Sequence, residues 1–200
     1  QFPYTWKFLW SPLLDRYSVP GFGRRRGWML LTQIGLLLSI GFLGGLNPQE
    51  NIWPILWLAA LLAFLSGTQD IAVDAFRREI LNDNELGLGN AVHVNAYRIA
   101  GLIPGSLSLI LADRLPWNEV FWITAAFMIP GMAMAWLVSE PVVKGVPKTL
   151  RQAVTEPFRE FVGRQGWRGA AMVLAFIFLY KLGDSLCTAL ATPFYLDMGF

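Results

Sequence analysis

Long apolar runs with no alternation of polar and apolar positions set the pattern of this chain. Residues 27–46 hold twenty positions without one ionisable side chain. About twenty mostly apolar residues are enough for a helix to cross the hydrocarbon core of a bilayer. Further runs cover 52–81, 86–112, 117–138 and 169–195, and 2–14 reads as the cytoplasmic end of another span. These runs are too long for strands and lack their period of two. The pattern predicts an all-α, polytopic membrane helix bundle.

The one long connection is 139–168. Within it Leu150, Val154, Phe158 and Phe161 fall on one helical face, with basic residues elsewhere. That spacing predicts an amphipathic helix on the inner membrane surface, broken at Pro157. The expected organisation is a helix bundle over 1–138, a cytoplasmic linker over 139–168, and the first helix of a second bundle over 169–200.

Composition supports the membrane reading. Only 15% of residues are charged and nine are tryptophan, where a soluble domain carries about 25% charged residues. A net charge of +2 gives no footprint for nucleic acid. Position matters more: twelve of the sixteen basic residues fall after the first, third and fifth runs, among them Arg16, Arg24, Arg25 and Arg26. The positive-inside rule makes those loops cytoplasmic. A single cysteine, Cys187, excludes an internal disulfide or a cysteine metal cluster. One histidine, with neither HExxH nor G-x-x-x-x-G-K-[ST], argues against an enzyme. No metal or cofactor is implied. The chain opens on Gln1 without a signal-peptide pattern, and reads as an internal piece of a longer membrane protein.

Candidate chemistry lies in the charges inside the runs: Lys7, Asp70, Asp74, Arg98, Lys181 and Asp184. An ionised side chain mid-helix costs about 2.5–3.5 kcal/mol on the insertion scale, so such groups face a polar cavity or pair with one another. They spare 27–46 and 121–138, as expected if some helices meet lipid and others line a solute path. Asp70 and Asp74 share a helix face, and Arg77 and Arg78 give Asp74 local partners that Asp70 lacks. Asp70 is therefore the candidate proton carrier and Asp74 a salt-bridge or gate residue; static pairing of either with Arg98 or the inner arginines is the alternative. Lys181 and Asp184 either pair locally or line the path. Lys7 either snorkels inward or lines the cavity. The GLIPG stretch (101–105) reads as close helix packing or as a bending point.

The motif WSPLLDRYSVPGFGRRRGW (10–28) is similar to the loop between the second and third helices of the major facilitator superfamily, with Ser11 where that pattern has glycine. Together with SGTQDIAVDAF, VPKTLRQAV and LYKLGDSL, it resembles AmpG-type muropeptide permeases over most of the chain. The resemblance implies helices two to seven of a fold of at least twelve. It implies a monomeric importer, in the lipid of the bacterial inner membrane, carrying anhydro-muropeptides with protons for cell-wall recycling, linked in some bacteria to β-lactamase induction. By the same resemblance Gln69, Asp70, Lys181 and Asp184 line the central path, with Arg98 or Lys181 on a substrate carboxylate. Asp15, Arg16, Arg24, Arg25 and Arg26 would close a cytoplasmic gate onto Asp74. The QDIAVD core is also similar to acetyl-CoA transporters, which keeps that substrate class open, as it does a membrane sensor that transports nothing.

Overall fold

The structure is a computed structural model that describes residues 2–140 and 149–198, with the side chain of Asp184 outside that description. It divides into two compact units, Gln1–Leu150 and Arg151–Phe200, each considered by itself. Among the described residues there is no strand beyond one isolated bridge, Val19 to Gly23.

The first unit opens with α1 (Phe2–Trp6) and α2 (Ser11–Arg16), joined by a 3₁₀ turn at Lys7–Leu9. Then come α3 (Arg25–Leu43), α4 (Ile52–Ile80), α5 (Leu86–Ala100), a π-helical turn at Ile103–Leu107, α6 (Ser108–Ala112), α7 (Trp117–Ala126) and α8 (Ile129–Leu137). Among the described residues four stretches are long and apolar enough to cross a membrane: Arg25–Leu43, Ile52–Ile80, Leu86–Ala112 and Trp117–Leu137. They agree with the apolar runs to within about three residues, the ordinary uncertainty of helix ends.

Packing shows which ends lie together. At one end Phe42 of α3 meets Trp122 of α7, ring centroids 5.9 Å apart. A Cβ at Gly41 would sit 2.5 Å from the Trp122 ring, so only glycine lets these helices approach so closely. At the other end Leu14, Met29, Leu30, Phe76, Ala72 and Ala135 form a buried cluster from α2, α3, α4 and α8. The start of α3, the end of α4 and the end of α8 therefore share one level. That is the arginine-rich end, in keeping with the alternation of the loops.

The stretch from Gly101 differs from a close-packed helix contact. Nothing lies within 4 Å of a Cβ added at Gly105, and at Gly101 the nearest atoms are carbonyls of its own helix. Instead the backbone widens into the π turn, where Pro104 has no N–H to give. Ser108 closes that turn, 3.0 Å from the carbonyl oxygen of Ile103 and 2.8 Å from the Thr124 hydroxyl. The π turn and its Ser108 bridge are the features on which the bending reading rests.

In the second unit α9 (Leu150–Asp197) runs through Pro157 without a break. The path leaves helical geometry at Gly166, with φ 68° and ψ 169°. This corrects the expected break: proline removes one hydrogen bond, whereas that backbone angle is open only to glycine and ends the helical course outright. Residues 141–148 of the expected linker lie outside the described residues.

Candidate functional site

At the arginine-rich end, α3 begins where α2, α4 and α8 converge. Arg25, almost fully buried, reaches Asp15 at 2.8 Å and Glu79 of α4 at 2.7 Å. Arg24 reaches the same Glu79 oxygen at 2.9 Å and donates to the Asp15 carbonyl at 3.1 Å. Two guanidinium groups thus converge on one carboxylate that is itself largely buried.

A second device overlaps the first. The first amides of a helix have no partner within it, and they carry the positive end of its dipole. Here the Glu140 carboxylate accepts the backbone N–H groups of Arg24, Arg25 and Arg26 at 2.9, 2.7 and 3.1 Å. In return Arg26 donates to the carbonyls of Ala135, at 2.9 Å, and Trp136 at the end of α8. An acid from beyond α8 caps the start of α3, and a base from α3 caps the end of α8. The two helices are locked with opposite dipole ends satisfied.

The turn before α3 is built for this contact. Gly23 has φ 88°, and a Cβ there would lie 2.8 Å from the Glu140 carboxylate. Gly21 has φ 83° but open space around it. Gly23→Ala is therefore expected to lower the melting temperature of the full-length protein more than Gly21→Ala. Both variants meet the positive-φ penalty of about 1–2 kcal/mol, but only the first also displaces the cap. Equal shifts in a detergent melt would show that Glu140 adds nothing to the loop.

The cluster differs in membership from the expected gate. Asp15, Arg24, Arg25 and Arg26 do come together. Arg16 does not: it is exposed, with its guanidinium 5.4 Å from the Tyr17 ring centroid. Asp74 does not: it bonds Arg77, three residues on, at 2.9 Å. Glu79 takes its place because it stands five residues later, about 7.5 Å further along α4, level with the start of α3. Glu79 and Glu140 escaped sequence reading. The first follows two arginines like any surface helix end, and the second precedes a proline like any loop acid.

Further into the bundle, one stretch of α4 carries a seam of polar contacts. Ser66 bonds the Tyr4 hydroxyl. Thr68 accepts from the Trp10 indole at 3.1 Å and donates to its own helix at Phe64, 2.8 Å away. Gln69 bonds Thr32 of α3. Asp70 forms an ion pair with Lys7, each side chain about one-third exposed. The seam bears on two expectations. Asp70 has a cationic partner, Lys7, on the first span. Gln69 is engaged in helix packing toward α3, since consecutive helix residues point about 100° apart.

The other expected path residue of the first unit is not part of this seam. Arg98 is exposed on α5, a helix with no buried residue, and has no ion pair among the described residues. Lys181 is exposed in the second unit. The apolar cleft between α3 and α8, lined by Phe22, Leu30, Ile34, Ile129, Met132 and Trp136, offers nothing to a charged solute.

Comparison with known proteins decides the family. The model for the Major Facilitator Superfamily matches residues 6–200. This chain belongs to the Major Facilitator Superfamily. It is a multi-pass membrane protein of a transporter family, not an enzyme, and its all-α architecture is part of that fold. It is 50% identical to an uncharacterized protein of Haemophilus influenzae, over 99% of this chain and 47% of that protein. It is 46% identical to the anhydromuropeptide permease of Escherichia coli K12, over 98% of this chain and 40% of that one. The chain spans less than half the length of these two relatives. Its AmpG-type resemblance, first carried by four short motifs, extends along almost the whole chain.

Proposed function

We propose that this chain forms most of the N-terminal half, and the first helix after it, of a proton-coupled importer of anhydro-muropeptides in the bacterial inner membrane. The observation that carries the reading is an ion-paired acid in mid-helix, Asp70, in a chain so similar to an anhydromuropeptide permease. A buried or half-buried ion pair is costly to place in a span unless it serves a path. Asp70 is the proton-carrying group, and Arg98 and Lys181 are candidate anchors for a substrate carboxylate, with Asp184, three positions after Lys181 in the sequence, a further candidate. Asp15, Arg24, Arg25 and Arg26, joined by Glu79 and Glu140, form the cytoplasmic gate. Asp74 and Arg16 stand at its margin.

The full-length protein in proteoliposomes provides the test. Radiolabelled N-acetylglucosaminyl-anhydro-N-acetylmuramic acid is expected to accumulate when the outside is made acidic, and excess unlabelled substrate to block it. Inhibition by acetyl-CoA instead, with no uptake of the disaccharide, would move the protein to the acetyl-CoA class. Binding without uptake would make it a sensor.

A further inference from the structure

Lys7 is absent from the roles assigned above, yet it is the residue that touches Asp70. It occupies an unusual place in the chain. The first span is interrupted at Lys7–Leu9, where the backbone tightens to a 3₁₀ turn between α1 and α2. Short 3₁₀ pieces within a longer helix mark hinges. The break is buttressed by Trp6 stacked on Phe8, centroids 5.9 Å apart, and by the Ser11 hydroxyl donating to the Phe8 carbonyl at 3.2 Å. The ammonium on this turn has three donors. One goes to Asp70, and with about a third of the side chain open, Lys7 retains a face for a second anion.

Among the described residues of the first unit, the surroundings contain little else that ionises. One turn before Asp70 on α4, Ser66 holds the Tyr4 hydroxyl of α1. One turn after it, Asp74 is held by Arg77. Asp15 of α2 and Arg24 and Arg25 at the start of α3 are engaged with one another and with Glu79, Arg26 with the carbonyls of α8, and Arg16 with Tyr17. Beside the pair, α3 presents Thr32 to Gln69, and Thr32 does not ionise. Whatever anion reaches this seam meets Lys7, and whatever proton reaches it meets Asp70.

We infer that Lys7, in place of Arg98 or Lys181, is the substrate-carboxylate anchor of the importer and that it couples the substrate to the proton by exchanging one carboxylate for another. This inference rests on the muropeptide reading and deepens it. With no substrate, the ammonium neutralises the Asp70 carboxylate. When Asp70 takes a proton, its carboxyl becomes neutral and releases Lys7. The ammonium, still charged, then pairs with the carboxylate of the incoming sugar acid. One proton and one anion enter together, so the loaded site carries the same net charge as the empty one. Loss of the proton inward restores the Lys7–Asp70 pair and expels the anion.

The experiment measures binding of two probes to the full-length protein across pH: the anhydro-disaccharide acid and its carboxamide. The wild type is expected to prefer the acid by about tenfold, the scale of one charge-assisted hydrogen bond, and to bind it more tightly as pH falls. Lys7→Gln should bring the acid down to the carboxamide level, and Lys7→Arg should restore the preference. Asp70→Asn should bind the acid at the low-pH wild-type level with no pH dependence, a readout that a structural role would not move. The double variant Lys7→Gln with Asp70→Asn leaves no unpaired charge if either single variant folds poorly; it should bind both probes alike at every pH. A Lys7→Gln or double variant that still prefers the acid, or an Asp70→Asn variant that keeps the pH slope, overturns the exchange while leaving the muropeptide reading intact. A wild type that binds neither probe overturns both.

Discussion

Glu79→Ala should lower the stability of the full-length protein by about 3 kcal/mol, because it strands two guanidinium groups at the arginine-rich end. Breaking a buried ion pair by removing one partner typically costs about 3–5 kcal/mol. The lower figure applies here because Asp15 still reaches Arg25 at 2.8 Å. Glu79→Gln keeps an acceptor for both arginines and should fall between the variant and the wild type. Asp74→Ala is the control: its side chain is 43% exposed and, among the described residues, its ion pair is with Arg77, and such pairs contribute about 0–1 kcal/mol. Thermal melts of the purified protein in detergent measure all three. If Asp74→Ala were as damaging as Glu79→Ala, the gate would close on Asp74, as the motif resemblance first implied. In transport, the same Glu79→Ala substitution should weaken closure on the inner side.

For Asp70→Asn the expected loss is of coupling. A pH difference of one unit is worth about 1.4 kcal/mol per proton, enough for about tenfold accumulation if one proton accompanies each substrate molecule. Asparagine cannot carry that proton. Accumulation in proteoliposomes should fall to unity, while exchange of labelled for unlabelled substrate across the membrane continues. Retained tenfold accumulation would remove Asp70 from the coupling mechanism. Loss of exchange as well would mean that the Lys7–Asp70 pair is needed to hold the first and third spans together. The melting temperature of the variant separates that case from a specific block in transport.

Much of this was legible along the chain because membrane helices announce themselves locally. Length and apolarity place Arg25–Leu43, Ile52–Ile80, Leu86–Ala112 and Trp117–Leu137, since a span must satisfy its backbone within itself whatever its neighbours are. Loop charge sets their expected orientation for the same local reason. Charge within a span pointed to Asp70 and Lys7 one at a time. The order of partners was another matter. Asp74 and Arg77 are joined by helix spacing and could be read from it; Asp70 and Lys7, 63 positions apart, could not. Nor could Glu140, whose carboxylate reaches α3 across more than a hundred residues. Spacing says only which side chains share a face of one helix. Which face meets which neighbour, and at what height, depends on how glycines such as Gly41 let the helices approach and on where each helix starts. Those choices are made by packing, so the spans, their orientation and the candidate charges belong to the sequence, while the Lys7–Asp70 pair, the arginines on Glu79 and the reciprocal caps of α3 and α8 belong to the tertiary structure.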